Sequence, residues 1–240
     1  MPKMLFVVTG ADTWTLADGT AHPTGYWAEE LVAAHRAFRD ARFDITLTTP
    51  GGVTPTVDEG SLAPEMNGGD ETKVAELRDY LHSIDDELRG ATPLEEVDPA
   101  DFDLIFIPGG HGPMEDLAVS DTLGRILVSM LDDGKIVSSV CHAPAALLSA
   151  QRDDGSWAFA GYRLTGFTNE EERQAGLADK APWLLEDRLR DGGATFDCAD
   201  AWAPHVVSDR NVHTGQNPAS SQPLAQRIVE LVGRESTTVA

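Results

Sequence analysis

Short apolar runs, each stopped by glycine or proline, alternate along this chain with longer segments whose apolar side chains return every three or four residues. Residues 4–8 are continuously apolar and end at Thr9 and Gly10, the pattern of a buried parallel strand with a turn at its carboxyl end. Residues 11–24 have no period and read as a loop. From residue 26 to residue 39 the period becomes helical, with Trp27, Leu31, Ala34 and Phe38 on one face. Residues 43–49 alternate as a second strand, ended by Pro50, Gly51 and Gly52. Residues 53–67, with two prolines and several acids, read as a surface excursion, and a helix is expected over 71–88. A third strand spans 102–107, a helix 121–131 and a fourth strand 136–140. The last third predicts a helix near 183–190, strand-like pieces at 204–207 and 211–214, and a closing helix over 224–232.

Strands separated by helix-sized segments imply right-handed crossovers and a mostly parallel sheet. Ligand sites of such sheets lie beyond the carboxyl ends of the strands. The loop after Val8, the glycine-rich stretch Pro108, Gly109, Gly110, His111, Gly112 and Cys141 all fall at that edge. No internal repeat or low-complexity linker divides the chain, so residues 1–240 are expected to form a single domain.

The fourth strand delivers Cys141 onto a turn, followed at once by His142, Ala143, Pro144 and an Ala/Leu-rich helical pattern. A thiol at such a corner meets the positive end of a helix dipole, which favours the thiolate and lowers its pKa. The corner is the cysteine counterpart of the nucleophile elbow of hydrolases. Taken alone, a cysteine ending a buried strand is most often a small core residue. Glu30, taken alone, reads as a first-turn carboxylate favoured by the helix dipole.

Composition narrows the chemistry. The chain carries 40 acidic against 18 basic residues, a net charge of −22, which argues against nucleic acid or an anionic membrane as partner. The apolar start at residues 4–8 reads as a core strand rather than a signal peptide, and no run reaches membrane-spanning length, so a cytoplasmic protein is expected. Cys141 and Cys198 form neither a metal-ligand spacing nor a disulfide framework. Cys198, between acids, is assigned no catalytic role.

Five motifs in order, Gly25 to Glu30, Pro108 to Gly112, Val140 to Pro144, Thr165 to Thr168 with the acids after it, and His213 to Pro218, resemble the DJ-1/PfpI superfamily, and within it the Hsp31-like branch. The resemblance implies an α/β, flavodoxin-like three-layer sandwich with a mostly parallel sheet and a nucleophile-elbow cysteine. It implies Cys141 as nucleophile, Glu30 as a raised-pKa acid that shuttles a proton, and His142 oriented by a third acid five residues beyond Phe167, which is Glu172. Glu170 and Glu171 lie within a register error of that position. It implies an oxyanion hole from the backbone N–H groups of Gly110 and His142, and leaves His111 as a loop residue. Ala143 stands where relatives usually carry glycine and would strain the turn if φ there were positive.

The function so implied is a glutathione-independent glyoxalase of the glyoxalase III type (D-lactate dehydratase, a hydro-lyase). It converts methylglyoxal or a related 2-oxoaldehyde to a 2-hydroxy acid through a Cys141 hemithioacetal, with no cofactor and no metal, in a homodimer. The alternatives are a stress chaperone or protein deglycase, and a cysteine peptidase or amidase.

Overall fold

Strand β1 (Lys3–Val7) is buried along its last four residues, as a strand covered on both faces requires. The computed structural model describes residues 1–238, and the side chains of residues 1–234. After β1 comes a short antiparallel hairpin, β2 (Thr13–Thr15) with β3 (Ala21–Pro23), where the sequence pattern showed only a loop. Three-residue strands are too short to display a period. Helix α1 (Ala28–Asp40) buries Leu31, Ala34 and Phe38 as its spacing predicts, and leads to β4 (Asp44–Thr49).

The helix expected over 71–88 is two helices, α2 (Glu71–Ser83) and α3 (Asp85–Arg89), broken at Ile84 where φ is −113° and ψ 14°. Strands β5 (Thr92–Pro93) and β6 (Leu104–Ile107) follow, then α4 (Gly112–Glu115), α5 (Asp121–Asp132) and β7 (Ile136–Val140). Next come β8 (Arg163–Leu164), α6 (Asn169–Gln174), α7 (Leu185–Asp191), β9 (Thr195–Phe196), β10 (Val206–Asp209), β11 (Val212–Gly215) and the closing helix α8 (Ser221–Thr238).

The main sheet has the order β10-β11-β7-β6-β1-β4-β5, parallel except for the β10–β11 pair. Its central run β4-β1-β6-β7-β11 is the 2-1-3-4-5 order of flavodoxin-like folds. The β1-to-β4 and β6-to-β7 crossovers travel in opposite directions along the sheet. Right-handed connections therefore place α1 and α5 on opposite faces, which makes the third layer. Helix α8 packs along α1. Phe6 and Phe106, from adjacent strands, stack 5.4 Å apart, and Phe38 of α1 meets Phe106 edge-on at 5.3 Å.

The direction in which successive strands are added reverses between β1 and β6, and in open sheets a crevice forms at the carboxyl ends beside such a point, here between the Thr9 loop and the Gly109–Gly110 loop. The segment 53–67 is not wholly a surface excursion. It buries Ser61, Leu62 and Asn67, and Ser61 Oγ accepts the Ala28 N–H at 3.0 Å. That bond satisfies an orphan donor at the start of α1, whose preceding residue Trp27 offers no side-chain cap. It fixes the helix turn that carries Glu30.

Candidate active site

Cys141 is the first residue after β7 and takes a left-handed φ of 61°, a conformation side chains rarely adopt. The corner is locked from both sides. Its N–H donates to the Gly215 carbonyl at 2.9 Å, and its own carbonyl accepts the Phe167 N–H at 2.8 Å. The segment after it, Ala143–Ser149, is a 3₁₀ helix rather than an α-helix. Ala143 is buried and is not among the residues with positive φ, so alanine is accommodated there without backbone strain.

Three groups surround the thiol. The first is Glu30, fully buried on α1, whose Oε2 accepts the Gly109 N–H at 2.7 Å. Its Oε1 has no hydrogen-bond partner by distance and angle, and its strongest side-chain coupling is to the Cys141 thiol. Gly109 is required for this approach. A Cβ there would lie 2.6 Å from the Val140 carbonyl oxygen, 2.8 Å from Glu30 Oε2 and 3.0 Å from the His142 nitrogen. The second group is His142, whose Nδ1 is 3.4 Å from Sγ. The third is the Gly110 backbone N–H, which favours the thiolate.

Glu172 lies behind His142. His142 Nε2 is 2.7 Å from Glu172 Oε2, and His111 Nε2 is 3.0 Å from Glu172 Oε1, so one buried carboxylate bridges two imidazoles. Helix α6 turns its three adjacent acids in different directions. Glu170 is exposed and pairs with Arg173. Glu171 closes a capping box with Thr168 and also takes hydrogen bonds from the Trp202 N–H, Gln216 and Asn217. Only Glu172 faces His142.

The rings form a column. Trp14, from the hairpin absent in the sequence reading, stacks on His111 at 4.6 Å, His111 lies 3.9 Å from His142, and Phe167 covers His142 at 4.2 Å. His111 is thus no mere loop residue. A histidine inside Gly-Gly-His-Gly at a strand's carboxyl end was the available signal, but nothing in sequence linked it to an acid 61 residues away.

Burial dominates the titration of the site. It raises Glu30 from 4.5 to about 8, so the carboxyl is protonated at neutral pH. Burial also pushes the Cys141 thiol well up, helped by Glu30 when that group is ionised, against a smaller opposing pull from the Gly110 N–H. This overturns the expectation of a thiol lowered by a helix dipole: the flanking segment is 3₁₀ and the sulfur is dry. His142 is lowered to about 4 by burial and by the charge of His111, and is neutral at pH 7. Burial works to raise Glu172, yet His142 and His111 outweigh it and hold the carboxyl well below the usual range. At neutral pH, His142 Nε2–H therefore donates to a carboxylate, which leaves the Nδ1 lone pair facing the thiol.

The ligand atoms of His111, His142 and Glu172 lie within 4.8 Å of one another, a set able to hold a metal ion that no sequence spacing revealed. Each of these atoms is engaged in the hydrogen bonds just described, so the set acts first as an imidazole-orienting one. Above Cys141 the crevice has a volume of about 50 Å³, walled by Trp27, Met66, His111, Phe167 and Trp202.

The DJ-1/PfpI family matches residues 24–231, a span that holds Glu30, His111, Cys141, His142 and Glu172. The chain belongs to the DJ-1/PfpI family. Within it, the chain is 40% identical over 192 residues to human glutamine amidotransferase-like class 1 domain-containing protein 1, covering 80% of this chain and 81% of that one. It is 27% identical over 235 residues to glyoxalase 3 of Candida albicans, covering 95% and 98%. The crystal structure of glyoxalase III from Candida albicans superposes with a TM-score of 0.82 at 26% identity, over 95% of this chain and 96% of that one. Among the described residues no helix is long and apolar enough to cross a membrane.

Proposed function

We propose that this DJ-1/PfpI member is a glutathione-independent glyoxalase of the glyoxalase III type, converting methylglyoxal or a related 2-oxoaldehyde to a 2-hydroxy acid. One observation carries the reading beyond the glyoxalase relatives: a fully buried Glu30, raised by that burial to about 8, whose carboxyl is coupled to the thiol of Cys141. A cysteine hydrolase needs a base and an orienting acid, which His142 and Glu172 supply. It has no use for a second, protonated acid against its sulfur. An aldehyde isomerisation does, because a proton must move between adjacent carbons.

The steps follow the resting protonation. The Cys141 thiol adds to the aldehyde carbon while its proton passes to His142 Nδ1, and Glu172 stabilises the imidazolium. Glu30 gives its proton to the aldehyde oxygen, which the N–H groups of Gly110 and His142 stabilise as charge develops. The product is a hemithioacetal, and Glu30 is now a carboxylate. Glu30 removes the hydrogen from that carbon as the neighbouring carbonyl oxygen takes the proton held by His142, giving an enediol. Glu30 returns its proton to the second carbon and recovers one from the first hydroxyl, which leaves a thioester. Water, deprotonated by His142, cleaves it to the 2-hydroxy acid and the free thiol. The net reaction adds one water, which in the reverse sense is a hydro-lyase, and D-lactate is the product proposed from methylglyoxal.

No cofactor enters this scheme. A homodimer, proposed on the family resemblance and tested by light scattering, and a cytoplasmic location, proposed on the sequence reading, complete the picture. The enzyme reading is tested by methylglyoxal consumption and lactate formation without glutathione. Wild-type protein should form lactate and Cys141→Ser none while melting as a folded protein; equal turnover by both would remove it.

A further inference from the structure

Trp202 combines features that structural need alone does not explain. Among the described residues it is one of four non-glycine residues with positive φ, at 66°, and it remains 39% exposed although tryptophan is costly to leave in water. It is nevertheless held firmly. Its backbone N–H donates to Glu171 Oε1 at 2.8 Å, and its indole Nε1–H donates to Gln174 Oε1 at 2.6 Å. Its ring meets Phe167 edge-on at 5.5 Å, the same Phe167 that covers His142. Glu171 is fully buried and also receives Gln216 Nε2 at 3.1 Å and Asn217 Nδ2 at 2.8 Å, and Asn217 in turn donates to the Ala203 carbonyl at 2.8 Å. One buried carboxylate thus gathers the turn around Trp202. A strained backbone over-determined by its surroundings marks a functional position, and the indole so fixed forms a wall of the crevice over Cys141.

Resting on the glyoxalase reading, we infer that Trp202, held by Glu171 and Gln174, sets the substrate size limit: the site accepts free, short-chain 2-oxoaldehydes with an apolar substituent and excludes bulky ones and adducts on peptides. The walls explain both halves. Trp27, Met66, Phe167 and Trp202 offer apolar contact to a methyl group, while the polar groups cluster at Gly110, His111, Cys141 and His142. A peptide backbone or a sugar would leave its polar groups unpaired against these side chains.

The test compares wild type, Trp202→Gly and Trp202→Phe, all in a Cys198→Ser background because Cys198 is an exposed second thiol. Glycine suits the positive φ, and phenylalanine keeps much of the ring. Two readouts are taken. The first is the rate of Cys141 alkylation by N-phenylmaleimide relative to iodoacetamide, which needs no catalysis. The second is kcat/KM for phenylglyoxal relative to methylglyoxal. Trp202→Gly should raise both ratios by about tenfold or more, the scale of discrimination that pocket walls provide, and Trp202→Phe should stay near wild type. Unchanged ratios in a folded Trp202→Gly protein would overturn the inference. If wild type consumes neither aldehyde, the glyoxalase reading fails by itself, and the alkylation ratio still decides whether Trp202 controls access.

Discussion

Replacing Glu30 by glutamine should make the protein more stable at high pH even as it disables the proposed chemistry. Glutamine keeps the shape and can still accept the Gly109 N–H, but it cannot ionise. In the wild type, the Glu30 pKa rises from 4.5 to about 8 on folding. A raised folded-state pKa gives stability that is fully present below 4.5 and lost progressively as pH climbs to about 8, because the unfolded chain ionises freely while the folded one cannot. At 1.36 kcal/mol per tenfold change in proton affinity, the loss between pH 5 and pH 9 is about 4 kcal/mol. Urea unfolding of both proteins at pH 5, 7 and 9 measures it. The difference between the two chains at each pH cancels the titration of every other group not coupled to Glu30. Glu30→Gln should gain on wild type steadily from pH 5 to pH 8 and level off above. Parallel stability curves would refute the claim that residue 30 is buried as a neutral acid.

Three further outcomes follow from the same geometry. The reaction needs neutral His142 and protonated Glu30, so kcat/KM for methylglyoxal should be bell-shaped, rising through about 4 and falling through about 8; a basic limb that stays flat to pH 9 would contradict the assignment of Glu30. Glu172→Gln removes the charge that balances the His142 imidazolium and should cost about 10²- to 10³-fold in kcat with the fold retained, measured by turnover and thermal melting. Gly109→Ala drives a methyl group onto the Val140 carbonyl, Glu30 and the His142 amide, and should cost about 1–3 kcal/mol in urea unfolding and lower activity together.

The architecture was largely legible because its signals are local. The apolar runs at β1, β6 and β7 are buried on both faces, and glycine stops at Gly10 and Gly109 come shortly after the first two. Cys141, His142, Glu30 and Glu172, named from motifs, lie around one corner of the chain, and α6 turns Glu170 and Glu171 elsewhere. Long-range features were not legible. Trp14 reaches His111 only through a hairpin of three-residue strands, and Ser61 caps α1 from a segment with the composition of a surface loop. His111 gains its partner from α6, far along the chain. The thiol's direction of titration was misread for a related reason. A local turn suggests a dipole, whereas burial depends on everything packed above it, including Phe167 and Trp202.

The most direct test of the central claim is rapid-quench mass spectrometry of wild type and Glu30→Gln mixed with methylglyoxal, with lactate measured in the same samples. The account predicts lactate from the wild type, and from Glu30→Gln a methylglyoxal adduct on Cys141 that persists without lactate. Lactate from Glu30→Gln at near wild-type rate, or a wild-type reaction that never passes through Cys141, would contradict it.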